Sequence, residues 1–198
     1  MISNMKYDFI EIGTCDYHTL LEGSSPNELG ISVEPIKIYL DRLPDKSNVI
    51  KVNCAITSED KMVDLFYVTP ENQNKHNLPF TKGWGTIIKP HKSHGENPED
   101  LIESGILTKS QIQGITWKTL CEKYNVKEVD WVKIDAEGHD CVIVNSILDF
   151  CNNAIPKKIS FEQTHCDKLE LENTKIRLNQ NNYILKEEGE DLVYEYNS

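Results

Sequence analysis

Apolar positions along the chain follow two alternating rhythms. Residues 7–12 (YDFIEI) are an apolar run with little polar relief, as expected of a buried strand. Gly13 follows, and residues 16–21 can start a helix. Residues 31–34 (ISVE) predict a second short strand. Pro35 then opens a helix through about Leu43, with Ile36, Tyr39, Leu40 and Leu43 on one face, and Pro44 ends it. Residues 49–55 (VIKVNCA) predict a third strand. Residues 62–68 (MVDLFYV) alternate with period two, the pattern of a strand paired antiparallel at an edge.

From about residue 69 to 114 the pattern dissolves. The stretch holds four of the eight prolines and three of the six histidines, and is expected to be an irregular insertion or lid, with one short helix over residues 98–104. Regularity then returns. Thr116 is a good N-cap for a helix through Tyr124, and residues 129–134 (VDWVKI) predict the fourth core strand. A helix over 138–150, a strand over 158–162 and a helix over 167–180 follow. Residues 183–186 and 192–196 close the chain as a hairpin-like pair. Strands alternating with helices imply a mostly parallel sheet covered by helices on both faces. The closing pair adds an antiparallel edge, which a flavodoxin-type fold would lack. The expectation is a mostly parallel seven-stranded sheet in a single α/β domain spanning residues 1–198.

Composition narrows the class. The 198 residues are 38% hydrophobic and 27% charged, which fits a folded chain. The net charge of -11 disfavours nucleic acid and anionic membranes as partners. No stretch has the length of a membrane span, and residues 1–8 lack the features of a signal peptide. The six cysteines form no CxxC pair and are expected to be buried, reduced thiols of a cytoplasmic protein.

In a sheet of this type ligands sit at the carboxyl ends of the strands. Five places there carry chemistry. Glu11, Gly13, Thr14, Cys15 and Asp16 follow the first strand, where a glycine allows a sharp turn and close approach of a ligand. A dinucleotide fingerprint needs three glycines, and Gly13 stands alone, so a plain turn glycine is an equal reading. Glu34 ends the second strand, 21 positions after Gly13, placed to accept hydrogen bonds from a ribose diol, with Pro35 beside it. Asn53 to Ile56, Ala55 among them, could flank an adenine ring or simply pack. Lys133, Asp135, Glu137, His139 and Asp140 crowd five ionisable groups into eight residues. The acids of the following helix have a structural explanation in the helix dipole, but Asp135 does not. His165 follows the fifth strand as a candidate general base. His91 and His94 show no third ligand for a metal, and read as loop residues. Trp84 and Trp131 read as packing.

Together the segments FIEIGTCD (9–16), SVEP (32–35), VNCAI (52–56), ITWKTL (115–120) and DWVKIDAEGHD (130–140) resemble the FkbM family of S-adenosylmethionine-dependent methyltransferases. The Lys-x-Asp-x-Glu-Gly pattern of 133–138 is the most specific part. The resemblance covers about residues 7–165. It implies a Rossmann-like class I methyltransferase sheet and S-adenosylmethionine as cofactor, held by the Gly13 loop, Glu34 and the end of the third strand. It implies an acceptor side built from Lys133 to His139, and a sugar, glycan or small-molecule hydroxyl as acceptor. Cys15 and Asp16 stand where many members have further glycines.

On that basis Asp135 is expected to orient or deprotonate the acceptor, with Lys133 and Glu137 shaping the loop and His139 or His165 as alternative bases. A divalent metal near Asp135 is conceivable, without a decisive ligand set. Two rivals remain. One is a methyltransferase-like binding module without catalysis. The other is a nicotinamide dehydrogenase, which the missing glycines disfavour.

Overall fold

The computed structural model describes residues 5–16, 18–77, 85–87, 98–150 and 154–197. In chain order its first half holds β1 (Met5–Ile12), α1 (Leu20–Gly23), β2 (Gly30–Val33), α2 (Lys37–Leu40), β3 (Val49–Val52), β4 (Ala55–Ile56), β5 (Lys61–Tyr67), α3 (Pro70–His76) and β6 (Gly85–Thr86). The second half holds α4 (Pro98–Glu103), β7 (Thr108–Ile115), α5 (Trp117–Lys123), β8 (Val126–Ile134), α6 (Asp140–Asp149), β9 (Pro156–Glu162), α7 (Lys168–Gln180), β10 (Tyr183–Glu188) and β11 (Asp191–Tyr196).

Seven strands form one sheet in the order β10-β11-β9-β8-β1-β2-β3. The run β9-β8-β1-β2-β3 is parallel throughout. β11 lies antiparallel to β9, and β10 antiparallel to β11. The mostly parallel sheet with an antiparallel closing strand is thus present as the sequence pattern implies. Both faces are covered. Side chains alternate along β1, so Phe9 and Ile10 point to opposite faces. Phe9 packs with Leu21, Leu40 and Leu43, from and just after α1 and α2. Ile10 belongs to the main core with Trp117 and Leu120 of α5, Ile143 and Ile147 of α6 and Leu178 of α7. Each fully buried aliphatic side chain of this kind contributes about 1.5–3 kcal/mol.

Helix starts follow their caps. Thr116 accepts from the Thr119 amide at the start of α5, as the sequence predicts, and Asp167 caps α7 by accepting the amides of Leu169 and Glu170. The first helix differs. It begins at Leu20, not at residue 16, because Thr19 and Glu22 form a reciprocal capping box. α2 spans four residues only, with Leu43 still buried beyond it.

The segment from residue 69 to 114 is the main departure from expectation. Its described part contains α3, β6, α4 and β7, so it is not irregular there. β7 pairs antiparallel with β5 from Lys61–Gly114 to Tyr67–Thr108, in a second sheet ordered β4-β7-β5-β6. β5 therefore pairs inside this second sheet rather than at an edge of the first. Phe66 and Val68 pack with Leu101 of α4 and Leu107 beneath it. The short helix expected at 98–104 is α4. His91, His94 and Trp84 lie outside the described residues. No helix among the described residues is long and apolar enough to cross a membrane.

Candidate functional site

The carboxyl ends of four parallel strands are laced together by backbone hydrogen bonds. The Gly13 amide donates to Val33 O (2.9 Å), the Asp135 amide to Ile12 O (2.9 Å) and the Glu34 amide to Val52 O (3.0 Å). Gly13 sits at φ +81°, and a Cβ there would drive into the carbonyl oxygen of Asp135. Only glycine satisfies both demands. Just above this point a cleft opens. Its walls include Gly13, Thr14 and Cys15, then Glu34, Pro35 and Ile36, then Cys54, Ala55 and Ile56. Opposite stand Lys133, Asp135, Glu137 and His139. The second sheet roofs the cleft with Gly85, Thr86 and Ile87. Its edge is close to both sides: Thr86 Oγ1 donates to the Glu137 carbonyl (3.4 Å), and a side chain at Gly85 would strike Ile36.

On the β1–β2 side the organising group is Glu34, which is only 3% exposed. One carboxylate oxygen accepts the Cys15 amide and the other the Ile36 amide, each at 2.7 Å. It thereby clamps the turn after β1, where Cys15 adopts φ +48°, to the turn after β2. Burial pushes the Glu34 carboxyl up to about 7, against the two amide donors and with Asp135 adding to the rise. Three residues expected to hold a ligand here stand elsewhere. Glu11 points away from the cleft lining, accepts the Leu20 amide (2.8 Å) at the start of α1 and pairs with Lys133 (3.0 Å). Asp16 pairs with Arg42 (2.9 Å). Asn53 is exposed, and its amide group donates to the carbonyls of Glu34 and Pro35. These polar side chains hold the strand ends in place, which is why they occur there.

On the β8–β9 side the loop from Asp135 to His139 is held by Asp140. This fully buried first residue of α6 accepts the amides of Ala136 and Gly138, both at 3.2 Å. The loop needs that support. Glu137 has φ +50° and Gly138 φ +92°, with the His165 carbonyl packed where a Gly138 side chain would go. Desolvation pushes the Asp140 carboxyl up to about 7. Asp135 opens into the cleft; the protein mass around it raises its carboxyl, Glu162 adds to this and Lys133 opposes it. Glu137 is pushed up to about 7 by desolvation and then by Asp135, with His165 opposing.

The two histidines behave differently. Burial pushes His139 down to about 4, so its ring is neutral at neutral pH, and its Nε2 has no hydrogen-bond partner among the described residues. That makes it a weak base. His165 lies beside the cleft lining rather than in it. Burial pulls its ring down, but the hydrogen bond to Glu162 (3.1 Å) and the charges of Glu162 and Glu137 outweigh this and raise it. Glu137, Glu162 and His165 each place one ligand atom within 4.8 Å of the others, a spacing that could accept a divalent cation.

The structure thus gathers Gly13, Thr14, Cys15, Glu34, Pro35, Ala55, Lys133, Asp135, Glu137 and His139 around one cleft. Sequence reasoning missed His18, the roof at Gly85–Ile87 and the role of Glu162. Glu162 had a legible signal, an acid ending a core strand. The roof had none, being separated from the rest by long stretches of chain. Comparison of the chain with protein-family models and with curated proteins finds no match.

Proposed function

We propose that the chain is an S-adenosylmethionine-dependent O-methyltransferase acting on a hydroxyl of a sugar, glycan or other small molecule. The observation that carries this reading is the cleft itself. A glycine turn, an acidic strand end and an apolar strand end surround it on one side, and an acid-rich loop faces them. The strand order, with one antiparallel strand between β9 and β10, is the order expected of a class I methyltransferase sheet. The resemblance to the FkbM family supplies the acceptor class by analogy.

The residues fit the cofactor. Ile36, Cys54, Ala55 and Ile56 offer an apolar wall for a purine, and Glu34 stands where a ribose diol would be read. The main chain at Thr14 and Cys15 would hold the amino-acid end. Acidic walls favour a sulfonium cation over a neutral ligand. When bound, S-adenosylmethionine supplies an activated methyl group for in-line transfer. The chain's part is then positional and acid–base. Asp135 accepts the proton of the attacking hydroxyl, its raised carboxyl being better matched to that task than an ordinary aspartate. Lys133, tied to Glu11, fixes the near wall, and Glu137 the acceptor side. His139, a neutral ring at neutral pH, would offer its unpartnered Nε2 to a ligand as a hydrogen-bonding group rather than act as base.

One observation favours the second reading, a binding module without catalysis. Both oxygens of Glu34 are already engaged by backbone amides. Calorimetric titration with S-adenosylmethionine and S-adenosylhomocysteine separates the two. Micromolar binding of both, with transfer abolished but binding kept in Asp135→Ala, supports the enzyme. Full transfer in that variant removes Asp135 from its role, and absence of binding removes the cofactor.

A further inference from the structure

Charge is distributed unevenly around the cleft. Among its described lining residues one side chain carries a fixed positive charge, Lys133, and its ammonium is taken at 3.0 Å by Glu11, a carboxylate only 1% exposed. His18 belongs to the opposite wall, after β1, and no arginine lines the cleft among the described residues. On the acceptor side stand Asp135 and Glu137, with Glu162 beside Glu137 at the end of β9. One cationic group lies within ion-pair distance of these acids: His165 Nδ1 is 3.1 Å from Oε2 of Glu162 and 3.7 Å from Oε2 of Glu137. The second oxygen of each glutamate, and both oxygens of Asp135, accept no hydrogen bond among the described residues. The cavity therefore presents more hydrogen-bond acceptors and more negative charge here than the protein itself satisfies.

We infer that the acceptor is an amine-bearing alcohol, such as an amino sugar, that brings an ammonium group to Glu137 and Glu162 and the adjoining hydroxyl to Asp135. This rests on the reading of the cleft as a site of methyl transfer. His165 shows that a nitrogen cation fits between the two glutamates, since one ring nitrogen reaches both. An ammonium has three donors and no acceptor, which suits carboxylate oxygens that lack a partner. It also relieves the repulsion that Asp135 and Glu162 exert on Glu137, where a phosphate or carboxylate would add to it.

The same contact decides which atom reacts. Held as ammonium, the nitrogen has no lone pair to offer a sulfonium methyl group. The hydroxyl at Asp135 stays the nucleophile. Charge thus ranks acceptors, with amines above neutral alcohols and neutral alcohols above acids, and it ranks oxygen above nitrogen within one molecule.

The test uses the full chain and three hexoses of similar shape: glucosamine, glucose and glucuronic acid. Saturation-transfer NMR reads their binding with and without S-adenosylhomocysteine, and labelled S-adenosylmethionine reads transfer. Glucosamine is expected to bind at least about tenfold more tightly than glucose, with glucuronic acid weakest, and added salt to narrow the gap. Glu162→Gln is expected to reduce the advantage of the amine, and Glu137→Gln serves if that variant does not fold. Any methyl group transferred to glucosamine is expected on oxygen. Equal binding of the three sugars, tighter binding of glucuronic acid, binding of none, or a methyl group on nitrogen overturns the inference. So does an amine preference unchanged in both variants. Glucose matching glucosamine once magnesium is added also overturns it, because the carboxylates would then serve a metal. A chain that binds neither S-adenosylmethionine nor its product fails the methyl-transfer reading. A chain that binds both without preferring the amine fails this one alone.

Discussion

The two sides of the cleft use buried acids to different ends. On the β1–β2 side Glu34 spends both oxygens on backbone amides, and its neighbours Glu11, Asp16 and Asn53 are likewise tied to main chain or to a cation. On the β8–β9 side Asp140 plays that supporting part alone, and it leaves Asp135 and Glu137 facing each other and the opening. Glu34 and Glu137 are both raised to about 7, chiefly by burial with Asp135 adding to each, but at Glu34 backbone amides oppose the rise whereas at Glu137 the opposing group is His165. A raised carboxyl therefore does not mark a working group by itself. What marks one is a raised carboxyl whose oxygens are not already committed to the backbone.

The largest expected effect joins the two sides. Gly13→Ala brings a positive φ and a collision with the Asp135 carbonyl, and should cost about 3 kcal/mol or more in denaturant unfolding. A smaller loss would mean that the sides are not rigidly docked there. Next, Asp135→Asn is expected to lower the proposed methyl transfer about 10²-fold or more with stability little changed, because its carboxylate accepts no backbone amide among the described residues. If the fold weakened instead, Asp135 would belong with Glu34 as scaffold. Glu34→Gln is expected to destabilise by about 1–3 kcal/mol, since an amide NH₂ would face a backbone N–H. It is also expected to weaken the proposed cofactor binding, and an unaffected melting temperature would count against the clamp.

Titration sharpens the contrast further. For a carboxyl raised in the folded state, stability is fully present below its unfolded value and is lost as pH rises through the folded one. Glu137 shifts from 4.5 to about 7, so Glu137→Gln should lose less stability than the parent chain between about pH 5 and about pH 8. Parallel losses would show that Glu137 is not raised. The smallest effect is expected of His165→Gln, within about 0.5 kcal/mol of the parent, because the ring is part-exposed. Its value lies in NMR titration. Removing a cation that lowers Glu137 should move that carboxyl higher still.

In the main sheet β1, β2 and β9 were legible because they are largely buried and read as apolar runs, while β8, β10 and β11 showed by alternation and by their place in the strand–helix rhythm. The second sheet was not. β7 alternates Thr108, Ser110, Ile112 with Lys109, Gln111, Gln113, a half-buried pattern without enough apolar residues to stand out. β5 was visible as a strand, but periodicity does not name a partner. The start of α1 was misplaced although the Thr19–Glu22 capping box was in plain sight, since the apolar rhythm there is too short to weigh against it. In the cleft, Gly13, Glu34 and the 133–139 loop were found by their position at strand ends. Glu11, Asp16 and Asn53 share that position. The sequence does not say which polar group at a strand end turns toward a ligand and which toward the backbone.

The second sheet leaves and rejoins the main one at a single place. Ala55 pairs with Gly114 and Ile56 with Ile115, so the chain that departs after β3 returns beside its own point of departure before entering α5. An excursion whose ends meet tolerates changes of length in its exposed loops, provided that the contacts tying it to its surroundings, such as Leu65 against Ile36 and Tyr39, are kept. The roof over the cleft is in this sense a cassette. A designer could swap residues 57–113 between chains of this architecture to change what the cleft admits, leaving the strand ends and their acids as they are.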